Sequence, residues 1–363
     1  DSLALLPFER DWLGVECAGE VVAVGEGVTH VAVGDVVLAL AAGSFSQYVT
    51  VPAMRVVASP RNLSSQAAAT IPANFLTAHY ALNIIAKLGE AKVKTVEVRK
   101  EITQAQRKPI RILIHSAAGG TGMAAVKIAQ LGGKELASKE LANKELAHEE
   151  LASRETNAAG SSELAVEPAV ETAIEIYATA SPSKWDALKA MGVEHVMNSR
   201  TLEFADEILA RTGGQGVDIV LNSLADEFIE KSVSVLAPQG CFLEIGKRGI
   251  WSTQKMAAVR PDVTYHVVDL MTVAQTQPQQ IQSMLRTLKA QFEAGVLTPV
   301  RHQTFPIAES PGAFRYMQQA RHIGKIVLDL SGSEQFSSDD FSAEQLSTEA
   351  GKADNRNAVV SAE

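Results

Sequence analysis

The stretch RILIHSAAGGTGMAAVKIAQLGG, Arg111–Gly133, decides the fold of this chain. A short apolar run predicts a strand, a glycine-rich turn follows it, and MAAVKIAQL predicts a helix. Gly120, Gly122 and Ala125 match the spacing G-x-G-x-x-A between that strand and that helix, the context that the motif requires. The first glycine permits a tight turn, the second lets a pyrophosphate approach the backbone, and the small third residue lets helix and strand pack closely. The stretch therefore predicts a dinucleotide-binding turn.

Predicted strands alternate with predicted helices along the chain after this turn. The strands are IEIYATA, HVMNS, VDIVLNS and CFLEIG, and the helices between them are SKWDALKAMG, LEFADEILART and EFIEKSVSVL. This alternation indicates an α/β fold with a doubly wound parallel sheet that has helices on both faces. Before the turn, Trp12–Val57 contains short β runs broken by glycine, which predicts a smaller, mostly β domain. Ser64 is expected to cap the helix that follows, and Pro72 to end or kink it before a second helix near Thr77.

Three segments do not fit this alternation. The first is 93–109, which is charged, and the second is 134–173, which contains the repeat KELASKELANKELAHEELAS. The leucines of the repeat recur every fifth residue, so they move around a helix instead of forming one stripe. We expect a surface insertion there, either a single solvated helix or a fraying one, with a docking role as the alternative. The third segment, 331–363, is rich in Ser, Asp and Glu and predicts a disordered tail or linker.

The boundaries that follow from these patterns divide the chain into four parts. The small domain is expected at 1–75, the dinucleotide-binding domain at 76–290 with insertions at 93–109 and 134–173, a return to the small domain at 291–330, and the tail at 331–363. The first residues lead directly into strand-like sequence, so we expect a fragment of a longer polypeptide whose small domain is truncated at its N-terminus.

Charge and cysteine content narrow the functional classes. The chain has 363 residues and a net charge of −9, which disfavours a nucleic-acid partner because phosphate binding needs clustered Lys and Arg. No apolar run is long enough to span a bilayer. Cys17 and Cys241 are far apart in sequence, which argues against a disulfide framework or a cysteine zinc cluster and fits a reducing cytoplasm.

The end of the second predicted strand indicates which dinucleotide binds. NADH-selective sites usually have an acid at this position, where it holds the ribose 2′-hydroxyl. Here the strand continues into TASPSKW, and Thr179, Ser181 and Lys184 offer hydroxyls and an ammonium group. Arg200, after the next strand, can join them. These groups suit a 2′-phosphate, so the prediction is NADPH. Solvated surface charges at Lys184 and Arg200 are the alternative.

Several motifs together resemble one known family. They are GVECAGEVVAVGEGV, AAATIPANFLTAHYAL, HSAAGGTG, TASPSKWDALKAMG, GVDIVLNSL, FLEIGKRGI and ARHIGKIVL. In this order they are similar to the enoyl reductase domain of modular polyketide synthases, a zinc-independent branch of the medium-chain dehydrogenase/reductase superfamily. The resemblance implies a Rossmann-type domain, a GroES-like substrate domain and NADPH-dependent reduction of an α,β-unsaturated thioester on the phosphopantetheine arm of an acyl carrier protein. Neighbouring polyketide synthase domains would be further partners.

The resemblance also implies site residues. Lys247 and Asp269 match the lysine and aspartate near the family's active site, and a structural ion pair is the alternative interpretation. The family often adds an early tyrosine proton donor, and we expect that the segment that would hold it precedes Asp1 or is missing. The expected cofactor-binding positions are Thr77, Ala117, Gly119, Gly120, Thr121, Gly122, Thr179, Ser181, Lys184, Arg200, Asn222, Ser223, Gly246 and Lys325. The alternative interpretations are that the Thr77 hydroxyl caps a helix and that Lys325 is a solvated surface charge.

A metal is not expected. Zinc alcohol dehydrogenases carry a histidine in GHE, whereas this chain has Gly14, Val15 and Glu16 at the matching place, with Cys17 next to them. Catalytic zinc needs three protein ligands and an open position, and no such set stands out in the sequence. His79, His115 and His322 are expected to be packing or surface residues.

Three other functions stay open at this point. The chain could be a reductive cyclopropanase that acts on a γ-halo enoyl thioester, a free-standing quinone or enone reductase, or a non-catalytic NADPH-binding scaffold module. The acyl substrate and the oligomeric state are not encoded in any motif that we identify.

Overall fold

The computed structural model describes residues 12–88, 109–155, 174–331 and 357–362. In chain order, its strands are β1 (Cys17–Val24), β2 (Val36–Ala39), β3 (Tyr48–Pro52), β4 (Val56–Ala58), β5 (Ile110–Ile114), β6 (Ile174–Ala180), β7 (His195–Asn198), β8 (Val217–Asn222), β9 (Leu236–Glu244), β10 (Thr264–Val267), β11 (His302–Pro306), β12 (Lys325–Asp329) and β13 (Asn357–Ala362). The α-helices are α1 (Ser65–Ala68), α2 (Pro72–His79), α3 (Gly120–Glu155), α4 (Trp185–Ala190), α5 (Phe204–Arg211), α6 (Glu227–Ser234), α7 (Thr253–Val259), α8 (Leu270–Thr276), α9 (Pro278–Glu293) and α10 (Ser310–Gln318).

The larger sheet confirms the predicted α/β class. Its six strands run in the order β7-β6-β5-β8-β9-β10, and every neighbouring pair is parallel. This is the doubly wound order in which the chain starts at the centre, builds outward to one edge and then crosses to the other half. Ile112, Leu113 and Ile114 of the central strand β5 are fully buried, as expected for a strand covered on both faces. The crossover leaves a crevice between the carboxyl ends of β5 and β8.

The smaller sheet is antiparallel, with the strand order β3-β13-β1-β2-β4. Val21, Val37, Val51 and Val56 point into one buried cluster, which is the half-buried pattern that the alternating sequence predicts. Strand β13 lies between β1 and β3 and pairs antiparallel with both. Val360 of β13 is fully buried in the same cluster. The prediction of a disordered tail is therefore wrong for 357–362, whereas 332–356 lie outside the described residues.

Helices α1 and α2 connect the two sheets. The Ser64 hydroxyl caps α1 by accepting a hydrogen bond from Ala67 N, as predicted. Pro72 begins α2 instead of preceding a helix near Thr77, since proline fits the first turn, where its missing N–H is not needed. Phe75 of α2 makes an edge-to-face contact with Phe292 of α9, with ring centroids 4.9 Å apart. This contact anchors α2 next to the start of α3.

The repeat is not separate from the helix that follows the glycine turn, although the sequence analysis treated it as an insertion. Helix α3 begins at the glycine turn and continues without a break past Gly133 and through the repeat to Glu155. Ala, Glu, Lys and Leu all favour helix, so the repeat extends the existing helix and does not form a separate element. The rest of that insertion, 156–173, and nearly all of the 93–109 insertion lie outside the described residues. The boundaries of the four parts remain predictions.

Strands β11 and β12 form a separate parallel pair. None of the described helices is long and apolar enough to cross a membrane.

The placement of β13 predicts a stability effect far along the chain from β1 and β3. Val360→Ala should lower the free energy of unfolding by about 1–3 kcal/mol, because it removes buried methyl groups from the core of the small sheet. Val33→Ala is the matched control, since Val33 belongs to the same domain and is 61% exposed. Denaturant unfolding of both variants measures the difference. Equal stabilities would mean that β13 does not occupy the sheet in solution.

Candidate active site

The glycine turn closes tightly between β5 and α3. Gly119 N donates to Ser116 O at 2.9 Å, and Ala117 N donates to the carbonyl oxygen of Thr179 on the neighbouring strand at 2.9 Å. A Cβ atom on Gly122 would lie 2.5 Å from Ser116 O, so only glycine fits there. Gly119, Gly120 and Thr121 remain partly exposed at the start of α3. The turn therefore presents backbone N–H groups at a helix N-terminus, as the motif predicts.

A second segment of the chain holds this turn from outside. Gly324 N donates to Ala118 O at 2.8 Å, and Gly324 forms a parallel bridge with Gly119. Gly324 has φ +78°, and a Cβ atom there would lie 1.8 Å from Arg301 O. Lys325, the next residue, is thereby brought near the turn. The resemblance predicts that Lys325 lies near the dinucleotide site, and this contact brings its backbone beside the glycine turn.

Lys325 is not a solvated charge. Its ammonium group is paired with the carboxylate of Glu16, whose side chain is 5% exposed. The other carboxylate oxygen of Glu16 accepts a hydrogen bond from Ala73 N, at the first turn of α2, at 2.8 Å. Glu16 thus joins β12, α2 and the segment before β1. The sequence analysis missed this role, although an acid inside the apolar run LGVECAG was the available signal, because a buried carboxylate requires partners.

Helix α2 contributes a polar face to the glycine turn. Thr121 Oγ1 donates to Asn74 Oδ1 at 3.2 Å, and Asn74 Nδ2 donates to Thr70 O at 2.9 Å. Thr77 follows Asn74 by three residues, so the two side chains lie on the same side of the helix. Thr77 is inside α2 and does not cap it.

Of the hydroxyls proposed for a 2′-phosphate, Thr179 does not face the crevice. It is fully buried, and Thr179 Oγ1 shares a hydrogen bond of 2.9 Å with His115 Nδ1. Burial lowers the pKa of His115 to about 3, so this histidine is a neutral packing residue, as expected. The second nitrogen of His115 bonds the hydroxyl of Ser232 at 2.7 Å. Thr179 therefore supports the strand through its side chain and the turn through its carbonyl oxygen.

The cations proposed for the same phosphate do come together. Lys184 lies in the short 3₁₀ turn after β6, and Arg200 is exposed after β7. Partial burial and the nearby charge of Arg200 lower the pKa of Lys184. Burial, followed by the charges of Lys184 and Lys325, also lowers the pKa of His322. Positive charge is therefore concentrated beside the glycine turn, and Ser181 is the half-buried N-cap of the same 3₁₀ turn.

Lys247 and Asp269, which the resemblance places near the active site, form an ion pair. Lys247 Nζ lies 3.6 Å from Asp269 Oδ1, and the two side chains are 41% and 46% exposed. Lys247 follows β9, and Asp269 caps α8 by accepting a hydrogen bond from Met271 N at 3.2 Å. Burial alone would raise the pKa of Asp269, but the charge of Lys247 and hydrogen bonds from Met271 and Thr272 hold it below its ordinary value. An ammonium and a carboxylate therefore meet at the carboxyl edge of the parallel sheet.

Asn222 and Ser223, two further residues predicted to bind the cofactor, have different surroundings. Asn222 is fully buried, and its amide binds Leu224 and the carboxylate of Glu244, so it acts inside the protein and not toward a ligand. The hydroxyl of Ser223 lies on the edge, 2.9 Å from that of Ser116 in the glycine turn. Gly246 N donates to Glu244 Oε1 at 2.6 Å.

Metal ligands are not gathered anywhere in the described residues: no three His, Cys, Asp or Glu side chains form a group that could hold an ion. Burial, reinforced by the charge of Glu16, raises the pKa of the Cys17 thiol to about 12, which opposes the thiolate form that binds zinc.

The close approach of Gly324 predicts a specific loss. Gly324→Ala should lower the free energy of unfolding by about 1–3 kcal/mol through backbone strain. The clash with Arg301 O should add to this loss. It should also weaken dinucleotide binding at the turn. Gly27→Ala is the control, because Gly27 has φ +82° but open space around its Cβ position. Melting temperature and dinucleotide titration of both variants test this; equal effects would mean that the contact with Arg301 relaxes freely.

Comparison with known proteins shows which families this chain resembles. Residues 5–61 match the model of the alcohol dehydrogenase GroES-like domain, and residues 191–328 match that of the zinc-binding dehydrogenases. The pikromycin polyketide synthase component PikAII of Streptomyces venezuelae is 36% identical over 320 residues, which is 88% of this chain and 7% of that protein. The chain thus spans a small part of such synthases.

Solved structures give the same assignment over most of their length. The CurK enoyl reductase is 40% identical, with a TM-score of 0.68 over 87% of this chain and 78% of that one. The CurF ER cyclopropanase from the curacin A biosynthetic pathway is 35% identical, with a TM-score of 0.68 over 87% and 77%. With this level of identity across both sheets, the chain belongs to the polyketide synthase enoyl reductases of the medium-chain dehydrogenase/reductase superfamily.

Proposed function

We propose that this chain is an NADPH-dependent enoyl reductase domain that reduces the α,β double bond of an enoyl thioester held by the phosphopantetheine arm of an acyl carrier protein. The observation that carries the proposal is the Lys247–Asp269 pair at the carboxyl edge of the sheet that also bears the glycine turn. An ammonium group on the ligand-binding edge can stabilise negative charge on a thioester oxygen and supply a proton. Other domains of a polyketide synthase would be its neighbours.

The residues around the glycine turn fit NADPH. Backbone N–H groups at the start of α3 would hold the pyrophosphate, since a helix N-terminus favours anions. Lys184 and Arg200 would hold the 2′-phosphate, with Ser181 beside them, because a doubly charged phosphate is bound best by several cations and hydroxyls. Thr77 and Ser223 are assigned to the part of the crevice near the turn. The ammonium group of Lys325 is paired with the carboxylate of Glu16, so we assign Lys325 to holding the glycine turn in place.

The chemistry then divides between cofactor and protein. When bound, NADPH supplies a hydride to Cβ of the enoyl thioester, which leaves negative charge on the thioester oxygen. Lys247 stabilises this enolate and donates a proton to Cα, and water returns the proton to the amine. Asp269 aims the lysine, because the two groups lie 3.6 Å apart. No step in this scheme uses a metal ion.

A cyclopropanase activity is the second candidate, since one similar structure is a cyclopropanase. In that reaction the enolate carbon would displace a halide from the γ-carbon instead of taking up a proton. Incubating the chain with NADPH and carrier-bound enoyl thioesters, with and without a γ-halogen, and weighing the products separates the two. A saturated product from both substrates supports the reductase. Halide loss with ring closure supports the cyclopropanase, and NADPH binding without turnover would refute both.

The catalytic pair gives the first kinetic prediction. Lys247→Met should lower turnover by roughly 10²-fold if the lysine is the general acid, and it should leave NADPH affinity unchanged. Asp269→Asn should lower turnover less, and the double variant should be no slower than Lys247→Met, because groups that act as one unit are not additive. Lys289→Met is the control, since it removes the lysine from another surface ion pair, with Glu293. Full turnover in Lys247→Met would assign the proton to another source.

The second prediction concerns cofactor choice. The Lys184→Ala, Arg200→Ala double variant should lose roughly 1.5–3 kcal/mol of NADPH affinity for each charged hydrogen bond removed, and it should keep its NADH affinity. Lys189→Ala, on the exposed side of α4, is the control. Titration with both cofactors measures the preference. An unchanged ratio of affinities would place the 2′-phosphate elsewhere.

A further inference from the structure

Glu244 is a buried acid that the mechanism above does not use. It is the last residue of β9 and is fully buried, and it lies between the two segments that carry the catalytic pair. A carboxylate without water around it is costly unless hydrogen-bond donors surround it. Its place at the carboxyl end of a parallel strand is also where ligand sites form. The contacts of Glu244 therefore need an explanation beyond packing.

Those contacts reach the residue that precedes each member of the pair. Oε1 accepts a hydrogen bond from Gly246 N at 2.6 Å, one residue before Lys247. The main-chain oxygen of Glu244 accepts from Val268 N at 2.8 Å, one residue before Asp269. Oε2 accepts from Asn222 Nδ2 at 2.8 Å, and this amide is itself fixed by Leu224. One residue thus holds the backbone on which each catalytic side chain stands.

The turn after β9 is built around this carboxylate. A Cβ atom on Gly246 would lie 2.6 Å from Glu244 Oε1, so the glycine allows the close approach. The two donors that reach the side chain, Gly246 N and Asn222 Nδ2, both require an acceptor. Protonation would turn one carboxylate oxygen into an O–H donor and a poorer acceptor, so at least one of the two bonds would be weakened.

We infer that Glu244 is a positioning residue whose carboxylate form clamps the turn after β9 and so holds Lys247 against Asp269. This inference rests on the proposed function for its kinetic consequence. It gives the catalytic lysine a support that the sequence analysis did not contain. It also makes the order of the site depend on the ionisation of a residue that touches neither substrate nor cofactor.

The pKa of Glu244 lies in a pH range where its carboxyl group can gain or lose its proton while the protein is studied in solution. Burial raises the pKa of Glu244 from 4.5 to about 6, against the opposing effects of Asn222, Gly246 N and the charge of Lys247. From β10, Tyr265 faces it; burial and the charge of Glu244 raise the pKa of that tyrosine to about 12, so it stays neutral. From β8, the group that reaches it is the uncharged amide of Asn222.

Stability and turnover should then change in opposite directions with pH. Because the folded-state pKa is raised, the contribution of Glu244 to stability is full below pH 4.5 and is lost as the pH rises through about 6. The clamp, in contrast, forms as the carboxyl ionises, so turnover should rise over the same range. A residue that only supports the fold would move stability and turnover together.

The test compares wild type with Glu244→Gln, in which one amide offers a single acceptor to two donors. We expect kcat to fall by roughly tenfold to a hundredfold, as a small misplacement of a catalytic group can do, with NADPH affinity unchanged. The rise in kcat near pH 6 should disappear, and hydrogen exchange at Gly246 N should lose its protection. Glu230→Gln, an exposed acid on α6, is the control and should match wild type.

Two further comparisons decide the outcome. In a Lys247→Met background, Glu244→Gln should cost no additional turnover; an additive loss would overturn the positioning role. A wild-type kcat without a rise near pH 6, or unchanged protection of Gly246 N in Glu244→Gln, would also overturn it. If Glu244→Gln does not fold, the pH dependence of Gly246 N protection in wild type decides. A folded wild type without turnover on any enoyl thioester would refute the proposed function, while the exchange data would still decide the clamp.

Discussion

The hydrogen bond from Gly324 N to Ala118 O is the contact on which the arrangement of the site depends. It joins the segment before β12 to the turn after the first strand of the large sheet, across about two hundred residues of sequence. Because Gly324 lies against Arg301, the junction has no room for a side chain. Lys325 is then placed where the buried carboxylate of Glu16 can pair with it. Through Ala73, this pair also sets the start of α2, whose Asn74 binds Thr121 at the turn.

Two buried glutamates brace the two ends of the crevice in different ways. Glu16 has a full positive charge as its partner, and removing one member of such a pair leaves an uncompensated buried charge. Burial raises the pKa of Glu244 to about 6, against the opposing effects of Asn222, Gly246 N and the charge of Lys247. The second brace is therefore sensitive to pH near 6. Each carboxylate organises the backbone around it more than it adds to stability.

The sequence predicted the parts of the fold that depend on local pattern. The glycine turn, the five predicted alternating strands and the cap at Ser64 all follow from short-range spacing and propensity, and all are present. What failed depended on long-range contacts. Thr179 lies at the predicted strand end, but its hydroxyl turns inward to His115, a choice made by packing between two strands. Strand β13 could not be predicted, because so short a segment becomes a strand only when β1 and β3 are available to pair with it.

The same distinction applies to the proposed catalytic pair, whose proximity no local pattern could reveal. Resemblance singled out Lys247 and Asp269, and the parallel pairing of β9 with β10 brings their segments side by side. The alternative, an ion pair kept for stability, is weakened by its exposure. Pairs of this kind at a surface contribute only about 0–1 kcal/mol, since water screens the attraction and two side chains lose freedom. A fold gains little stability from keeping such a pair, whereas an accessible lysine beside a carboxylate is what a proton donor requires. The physical argument therefore favours chemistry over structural support at this edge of the sheet.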